Sequence, residues 1–459
     1  MKRFFALYRA VIFVLSLTLI SLAGGLSTFA YGESVEDLNL QMKTMQDQMM
    51  QMQENMQTLQ NRINQLETAP PAPQMAAQPA PEVPALTAEE VTALRNLKDM
   101  GNVWSKYNMQ LYGKVKVDFN YDTAEFKKYN DFVGAVAQES DYKNDSTDFN
   151  PRDTRIGFTA SHKWGEWSAL GRVEMDFYGD NNGDNLIPRM RHGYIDIGYE
   201  KTHTSMVVGQ DWVPVSQLNP STIDFGILTA AGNLWWRVPQ VTVRQEFGDF
   251  QVLVSAMKHR RTSTENEDRM PWLLSRIQYS NEILGKGGLV ALGGGYRHAD
   301  YKHDYYDKDN NYIHHSSNNT DRWLVCGEMK YIAGPFTFKG ELWTGEGIGR
   351  NFLRYDLDMA EDEGPASAYG GWADLTYAVN DKTTMTAGYG FDNPNNGDIG
   401  DLADTNDRRF TRNEQYFINT WYSLTKPLKV GAEYVYVETE RHQQIHSGNR
   451  FTVSMQYVF

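Results

Sequence analysis

The sequence of 459 residues contains one cysteine and, after residue 30, no apolar run long enough for a membrane-spanning helix. The single Cys326 excludes an internal disulfide and a Cys-rich metal site. A spanning helix needs about 20 consecutive apolar residues. Any part of the chain that crosses a membrane must therefore do so as a closed β-barrel. Lys and Arg (44) are outnumbered by Asp and Glu (58), and the absence of a basic stripe argues against nucleic-acid binding.

The first 30 residues have the layout of a secretory signal peptide. Lys2, Arg3 and Arg9 precede the apolar segment VIFVLSLTLISLAGGL, and small residues follow up to Ala30. We predict a signal peptide over residues 1–30, with an uncleaved N-terminal anchor as the alternative. Its removal changes the formal net charge from −14 to −17, because the segment holds three basic residues and no acidic one.

Residues 31–68 predict a coiled coil. Apolar residues recur at alternating spacings of three and four from Val35 to Leu66, which is the seam of a heptad repeat. The end of this seam resembles the known trimer-favouring coiled-coil signature, so we expect a parallel homotrimer. The alternative is a Met-rich helix that packs on its own protein. The predicted trimerisation residues are Arg62, Ile63, Leu66 and Glu67.

Two short regions separate the coiled coil from the rest of the chain. Residues 69–86 are rich in Pro and Ala, which predicts an extended, semi-rigid linker. Thr87-Ala88-Glu89-Glu90 is a capping box, so residues 87–107 are expected to form a short helix and a lead-in.

Residues 108–459 show the alternation of a series of β-hairpins. Apolar and polar residues alternate in LYGKVKVDFNY, FTFKGELW, LKVGAEYVYVE and further segments, about sixteen in all. Tight turns alternate with long loops rich in Asp and Asn, a pattern typical of outer-membrane barrels. We predict an all-β fold, a transmembrane antiparallel β-barrel of about sixteen strands preceded by an α-helical coiled coil. The predicted long loops are 122–152, 299–321, 347–367 and 392–412.

The chain finishes on RFTVSMQYVF, in which every second residue is apolar. In a closed barrel the last strand pairs with the first, so this face would contact lipid, with Tyr457 and Phe459 in an interfacial aromatic girdle. The pattern also resembles the C-terminal insertion signal of outer-membrane proteins. It implies the barrel-assembly machinery, outer-membrane lipid and lipopolysaccharide as partners. A secreted β-sandwich or propeller is the alternative, but it does not account for the loop asymmetry.

Charges of both signs are predicted on the inner wall, if the more polar face of each strand is luminal. Each charge can simply pair across the lumen. Alternatively, the charges form a transverse field that orients small charged solutes, with Arg able to hold a carboxylate through two hydrogen bonds. The predicted luminal bases are Lys114, Lys116, Arg172, Arg244, Arg276, Arg322 and Lys339, and the acids are Asp118, Glu174, Asp176, Asp196, Glu246, Glu328 and Glu341.

One connection differs from the other long loops. Residues 213–237, VPVSQLNPSTIDFGILTAAGNLWWR, are less acidic and more apolar. This composition favours burial, and inside a barrel the available space is the pore. A loop folded over the rim or against a neighbouring subunit is the alternative. The predicted pore constriction and solute path comprise Asp211, Trp212, Asp224, Arg237 and Arg244, with Lys114, Lys116, Arg172, Arg276 and Arg322.

The motifs around this connection resemble those of a known family. VVGQDWVPVSQLNPSTIDFG, WWRVPQVTVRQEF, DTRIGF and RMRHGYIDIGY are similar to segments of the trimeric outer-membrane porins of the DcaP-like group. The resemblance implies a periplasmic coiled coil ahead of a sixteen-stranded barrel, a homotrimer, and uptake of dicarboxylates and other small anionic solutes. Phosphate-selective porins share the architecture but carry a dense inward ladder of Arg and Lys, which the mixed signs here do not match.

The sequence predicts no metal, no cofactor and no enzymatic activity. The histidines between positions 303 and 315 fall in a polar loop, and the wall histidines His162 and His192 have no evident serine partner. Three functions are left, in this order: a passive diffusion channel, a solute-specific uptake channel, and an envelope tether or adhesin whose coiled coil is the functional part. Peptidoglycan is a further candidate partner.

Overall fold

The chain forms two compact units, and all residues that the structure describes belong to one of them. The computed structural model describes residues 108–126, 132–137, 145–179, 186–259, 270–306, 312–355, 357–358, 364–399, 409–441 and 444–459, with the backbone alone over 300–306 and 312–319. The chain divides into Met1–Met100 and Gly101–Phe459, and every described residue belongs to the second unit. The predicted signal peptide, coiled coil, linker and short helix lie outside the described residues and stay predictions.

The described strands close into one antiparallel barrel. Consecutive strands from β3 to β17 pair with one another, and β17 pairs with β1. β2 and β3 share one position, because β2 pairs with the second half of β1 and β3 with the first half. These seventeen segments therefore fill sixteen strand positions, which confirms the predicted barrel. The strands are β1 (Asn108–Asp122), β2 (Ser146–Asn150), β3 (Arg155–Trp164), β4 (Trp167–Asp176), β5 (Arg189–Tyr199), β6 (Thr204–Trp212), β7 (Arg237–Phe247), β8 (Phe250–Met257), β9 (Trp272–Tyr279), β10 (Leu289–Tyr306), β11 (Tyr312–Ala333), β12 (Phe336–Glu346), β13 (Ser367–Asn380), β14 (Thr383–Pro394), β15 (Arg412–Ser423), β16 (Leu428–Arg441) and β17 (Gln444–Val458).

Helical structure in the described ranges is limited to short turns. Three are single 3₁₀ turns, and the fourth is the four-residue α1 (Asn396–Ile399). No helix in these ranges is long and apolar enough to cross a membrane. The 3₁₀ turns are Glu200–Thr202, Glu282–Leu284 and Arg350–Phe352.

The alternation of the last strand places its apolar side chains on the outside. Phe451, Val453 and Met455 are 49%, 59% and 54% exposed, whereas Thr452 and Ser454 are 2% and 1% exposed. A barrel with an apolar outer face and a buried polar inner face is stable in a lipid bilayer and not in water. This pattern argues against the soluble sandwich or propeller.

The two rims of the barrel differ in the length of their connections. Two-residue turns join β3 to β4, β7 to β8, β11 to β12 and β13 to β14, and the start of β1 lies at the same rim as the end of β17. We call this the short-turn rim. Two predicted loops are wrong in extent: 299–321 is mostly strand, and 122–152 contains β2. Polar residues can continue a strand there because the β10–β11 ladder uses backbone groups, which need no apolar side chain.

The apolar core of the described residues forms around the connection between β6 and β7. Residues 213–236 of this connection are called the inserted loop. Val215 and Leu234 are fully buried in one cluster with Trp343 of β12. The thiol of Cys326 on β11 donates to the Val215 carbonyl at 3.3 Å. The loop therefore packs against inward-facing side chains, and the structure places it inside the barrel.

Candidate functional site

Four wall carboxylates hold the inserted loop in the lumen. They lie on β11, β12, β13 and β16, and each accepts hydrogen bonds from loop donors that would otherwise be buried without a partner. The acidic side of the wall is thus covered by loop backbone. The contacts are Gln217 N and Leu218 N to Glu328 (2.8 and 2.6 Å), Ser216 Oγ and Leu234 N to Glu341 (2.6 and 3.2 Å), Ser221 N to Asp374 (2.7 Å), and Ile223 N and Asp224 N to Glu433 (2.6 and 2.7 Å).

Wall donors in turn bind the carbonyl groups of the loop. These donors are side-chain ammonium, indole and amide groups, so both kinds of loop backbone group are paired with the wall. The loop is therefore fixed along its length and not only at its ends. The donors are Lys116 to Ile223 O (2.7 Å), Lys339 to Asn219 O (2.5 Å), Trp343 to Gly232 O (2.7 Å), Asn413 to Ala230 O (2.8 Å), Gln415 to Thr229 O (3.0 Å) and Asn419 to Ser221 O (2.9 Å).

The tip of the inserted loop has a strained backbone. Ile227, Leu228 and Ala230 have φ values of 41°, 58° and 54°, a region that costs about 1–3 kcal/mol per non-Gly residue. Gly232 has φ 96°, and a Cβ there would meet the Gly371 carbonyl oxygen at 2.0 Å. The surrounding hydrogen bonds stabilise this conformation, and the site tolerates no larger residue at Gly232.

A cavity of about 260 Å³ lies between the inserted loop and the wall, where β1, β3, β5, β6, β15, β16 and β17 contribute side chains. Its lining contains five basic and two acidic side chains, with four aromatic rings. A low-dielectric, confined space strengthens the field of such fixed charges. The cavity is therefore electrostatically suited to anions. The charged lining residues are Lys114, Lys116, Arg155, Arg191, Lys429, Asp153 and Asp224, and the aromatic ones are Trp212, Phe225, Trp235 and Trp421.

Three of the cations share one carboxylate. Asp153 lies 2.6 Å from Lys114 Nζ, 2.8 Å from Arg155 Nη2 and 3.3 Å from Lys116 Nζ. Asp153 lies in the short irregular segment that separates β2 from β3, so the break in this strand position brings its side chain beside β1. Lys116 has a second partner in Asp118, at 2.8 Å. Positive charge exceeds negative charge around this point of the cavity.

A second network continues the basic wall on β4 and β5. Arg191 contacts Glu174 at 2.7 Å and Asp176 at 2.8 Å, and Arg189 also contacts Asp176 at 2.8 Å. Arg172, on the same wall, donates to the Tyr112 hydroxyl at 2.6 Å and reaches Glu174 at 2.9 Å. Each arginine is thereby held in one orientation, which keeps the inner wall ordered.

Asp224 joins the inserted loop to β17. Arg450 binds Asp122 through two hydrogen bonds of 2.7 Å and donates a third, of 2.8 Å, to Asp224. The other Asp224 oxygen accepts the backbone N–H of Val133 and of Gly226, at 3.0 and 2.7 Å. The predicted constriction residue Asp224 thus lines the cavity and also anchors the loop.

The two arginines predicted at the constriction, Arg237 and Arg244, are not among the residues that line this cavity. Arg237 is 5% exposed, with its guanidinium 4.7 Å from the Trp212 ring centroid and 5.7 Å from that of Trp235. Arg244 pairs along the wall with Asp196 at 3.1 Å and Asp211 at 3.8 Å. Neither arginine lines the cavity. Aromatic contacts hold the Arg237 side chain and wall ion pairs hold that of Arg244, and their role at the constriction stays a prediction.

The structure brings some of the other predicted residues together and separates the rest. Lys114, Lys116, Trp212 and Asp224 line the cavity, while Asp211, Arg172, Arg276 and Arg322 do not. Arg276 pairs with Glu328 at 2.9 Å, and both are buried on the acidic side of the lumen. Arg322 is also buried, on β11 beside β12. The role of all these residues in a solute path stays a prediction.

Outside the inserted loop, sequence reasoning missed six lining residues, which include Asp153 and Gln456. Arg155, Arg191 and Lys429 are basic, and Trp421 supplies an aromatic ring. Lys429 has the same parity as Glu433, so the inward alternation of β16 contains the signal that would have found it. Arg191 has no such signal, because a register shift beside it, at Glu174/Met175 in its β4 partner, breaks the simple alternation.

Among the described residues, no group of three or more His, Cys, Asp or Glu side chains could hold a metal ion. The wall histidine His192 has its Nδ1 2.9 Å from Asp211 Oδ1, outside hydrogen-bond geometry. His162 stacks on Trp164, with ring centroids 5.9 Å apart. Among the described side chains, His192 thus has a carboxylate neighbour and His162 an aromatic one.

The closed barrel, the outward apolar face and the loop in the lumen define an outer-membrane channel. The model of the family described as Gram-negative porin matches residues 77–442, and the chain belongs to this family. Membership places the protein in the Gram-negative outer membrane, and it supports a channel and not an enzyme.

Solved structures share the fold. The outer membrane channel DcaP of Acinetobacter baumannii matches with a TM-score of 0.63 and 23% identity, covering 77% of this chain and 98% of that chain. OprB of Pseudomonas putida gives 0.53 and 11% (79% and 96% covered), and Salmonella typhi OmpF in complex with daunomycin gives 0.51 and 11% (76% and 97% covered). No curated protein matches the sequence. At these identities the likeness concerns the fold alone.

Proposed function

We propose that the protein is a diffusion channel for small hydrophilic anions, with carboxylates and dicarboxylates as its preferred solutes. The observation that carries the proposal is the cavity beside the inserted loop, where five basic side chains face two carboxylates. The resemblance of the sequence motifs to the DcaP-like porins supports the same solute class. The fold shared with the channel DcaP is compatible with it.

The arrangement of charges explains how an acidic protein can pass anions. The four loop-binding carboxylates point into hydrogen bonds with the inserted loop, while basic groups on β1, β3, β5 and β16 line the cavity. Charges on the outer rim are screened over about 8 Å at physiological ionic strength. Charges inside the narrow cavity are screened less and dominate the selectivity.

The same arrangement keeps binding weak. Conduction requires that a solute be attracted into the channel and also released. Asp153, which is shared by Lys114, Lys116 and Arg155, partly neutralises those cations and competes with an incoming carboxylate. We infer weak, rapidly reversible binding, as uptake by diffusion needs.

We expect the full-length protein in planar bilayers to be more permeable to chloride than to potassium. Liposome swelling should be faster with a small dicarboxylate than with a neutral solute of similar size. Lys382→Gln is a matched control, because Lys382 is exposed in the turn between β13 and β14 and its loss should leave selectivity unchanged. Cation preference in the unmodified protein would contradict the proposal.

The tether or adhesin is the alternative function. It assigns the function to the coiled coil and predicts no conductance. Measurements on the same bilayers distinguish the two functions. A channel carries a current whose reversal potential can be measured, whereas an anchor without a pore carries no current.

We further propose that the channel is a homotrimer stabilised by the periplasmic coiled coil over residues 31–68. A variant without residues 31–86 should give weaker trimer cross-linking in detergent and a lower trimer melting temperature, because the heptad seam contributes apolar contacts between subunits. Charge-neutral substitutions outside the seam, such as Gln51→Asn, serve as the control. Equal melting temperatures with and without the segment would rule out this role.

A further inference from the structure

One basic residue of the cavity differs from the other four in its ion pairing. Lys114, Lys116, Arg155 and Arg191 each contact a carboxylate, at 2.6, 2.8, 2.8 and 2.7 Å. Lys429 is half-buried and has no ion-pair partner in the part of the chain that the structure describes. Its charge is therefore the one on the cavity wall that no neighbouring carboxylate neutralises.

The sheet register places this charge at the level of Lys116. In the sheet register Lys429 of β16 lies opposite Gln456 of β17, which lies opposite Lys116 of β1. Two strand spacings of about 4.8 Å separate the backbones of the two lysines. Lys429 is four residues nearer the short-turn rim than Glu433, which binds the inserted loop. It thus lies on the short-turn side of the contact between the loop and β16.

An aromatic ring holds the ammonium group without neutralising it. Lys429 Nζ lies 3.9 Å from the centroid of the Trp421 ring, a cation–π contact. Trp421 on β15 is paired with Gly431 on β16, and a Cβ at Gly431 would meet the ring at 2.6 Å. The glycine therefore provides the space in which the ring packs, and the lysine is fixed while its charge remains available.

We propose that Lys429 and Trp421 form a carboxylate-binding subsite in the cavity, at the register level of Lys116 and on the short-turn side of the contact between the inserted loop and β16. The inference rests on the proposed anion channel and adds a specific binding step to it. A carboxylate supplies the counter-ion that the protein does not, through a charge-assisted hydrogen bond of about 2.8 Å. An ammonium group offers no bidentate fork, so the carboxylate binds loosely and can leave.

The test measures how the conductance of the full-length channel saturates with sodium acetate, compared with sodium chloride, in planar bilayers. Acetate is the carboxylate probe. We expect Lys429→Gln to weaken the apparent acetate affinity by about three- to tenfold, the effect of losing one charge-assisted hydrogen bond that is partly exposed to water. Lys429→Arg should restore most of the affinity. Trp421→Leu should give an intermediate loss, since the ammonium group is then no longer fixed.

Lys426→Gln is the matched control, because Lys426 is exposed in the turn between β15 and β16, three residues before Lys429. It should leave acetate saturation unchanged. If Lys429→Gln weakened the apparent affinities for acetate and chloride equally, the subsite would be overturned. Lys429 would then contribute only to the general electrostatic field of the cavity. Unchanged acetate affinity would overturn the subsite as well. Both results leave the anion channel standing, whereas cation preference in the unmodified protein would remove the proposed function itself.

Discussion

Replacing Lys114 and Arg155 together with Gln is expected to lower the chloride-to-potassium permeability ratio about tenfold. Two unit charges 4 Å apart interact by about 1 kcal/mol in water and about 4 kcal/mol near a protein surface. Even the smaller value at each of two positions exceeds the 1.4 kcal/mol that corresponds to a factor of ten. The measurement is the reversal potential of the full-length channel under a salt gradient.

The fold should tolerate the replacement of Lys114 and Arg155, because the carboxylate that they share keeps another partner. Lys116 stays 3.3 Å from Asp153, so the carboxylate keeps one cation when the other two are removed. Lys201→Gln, at an exposed position in the β5–β6 turn, removes a charge from the short-turn rim and serves as the control. A double variant with unchanged selectivity would show that ions do not pass this cavity.

Replacing Glu433 with Gln is expected to loosen the inserted loop and widen the channel. Glu433 accepts the N–H groups of Ile223 and Asp224 and the side-chain amide of Asn419, at 2.6, 2.7 and 2.8 Å. A Gln side chain has one acceptor oxygen, so one donor would face an NH₂ group. The loss of a hydrogen bond to a charged group costs about 1.5–3 kcal/mol. The equilibrium constant between the anchored and the released state of this part of the loop should fall by at least about tenfold.

Single-channel recording and liposome swelling detect this change. We expect higher conductance, more open-channel noise and faster entry of solutes that the unmodified channel excludes. Glu438→Gln is the control on the same strand, because Glu438 has the opposite parity and accepts a hydrogen bond from the Tyr436 hydroxyl. Equal conductance and size exclusion in both variants would show that the loop does not limit the pore.

The acidic wall was predictable as a set of residues but not in its role. The alternation placed Glu328 and Glu341 in the lumen, and both are buried there. Their pairing with loop N–H groups could not be predicted, because backbone donors carry no residue-specific signal. Glu433 and Ile223 are 210 residues apart in the chain, and only closure of the barrel brings them together.

The placement of individual arginines was beyond sequence reasoning for a related reason. Parity identifies the side of the sheet on which a residue lies, but it does not choose among the partners available there. Arg237 packs on Trp212, Arg244 reaches Asp196, and Arg276 reaches Glu328. These choices depend on strand tilt and on the path of the inserted loop, so residues of the same type have different environments.

The sequence by itself determined the barrel, the number of its strand positions and the outward face of β17, because period-two alternation is a local property that the sheet must respect. It also singled out residues 213–237 by composition. Only the tertiary structure decided that the loop binds carboxylates of β11, β12, β13 and β16 and leaves beside it a cavity with mainly basic charged side chains. That arrangement arises from contacts such as Arg450 with Asp224, which join residues 226 positions apart. Long-range pairing of this kind satisfies buried charges in space, and no local pattern in the chain records it.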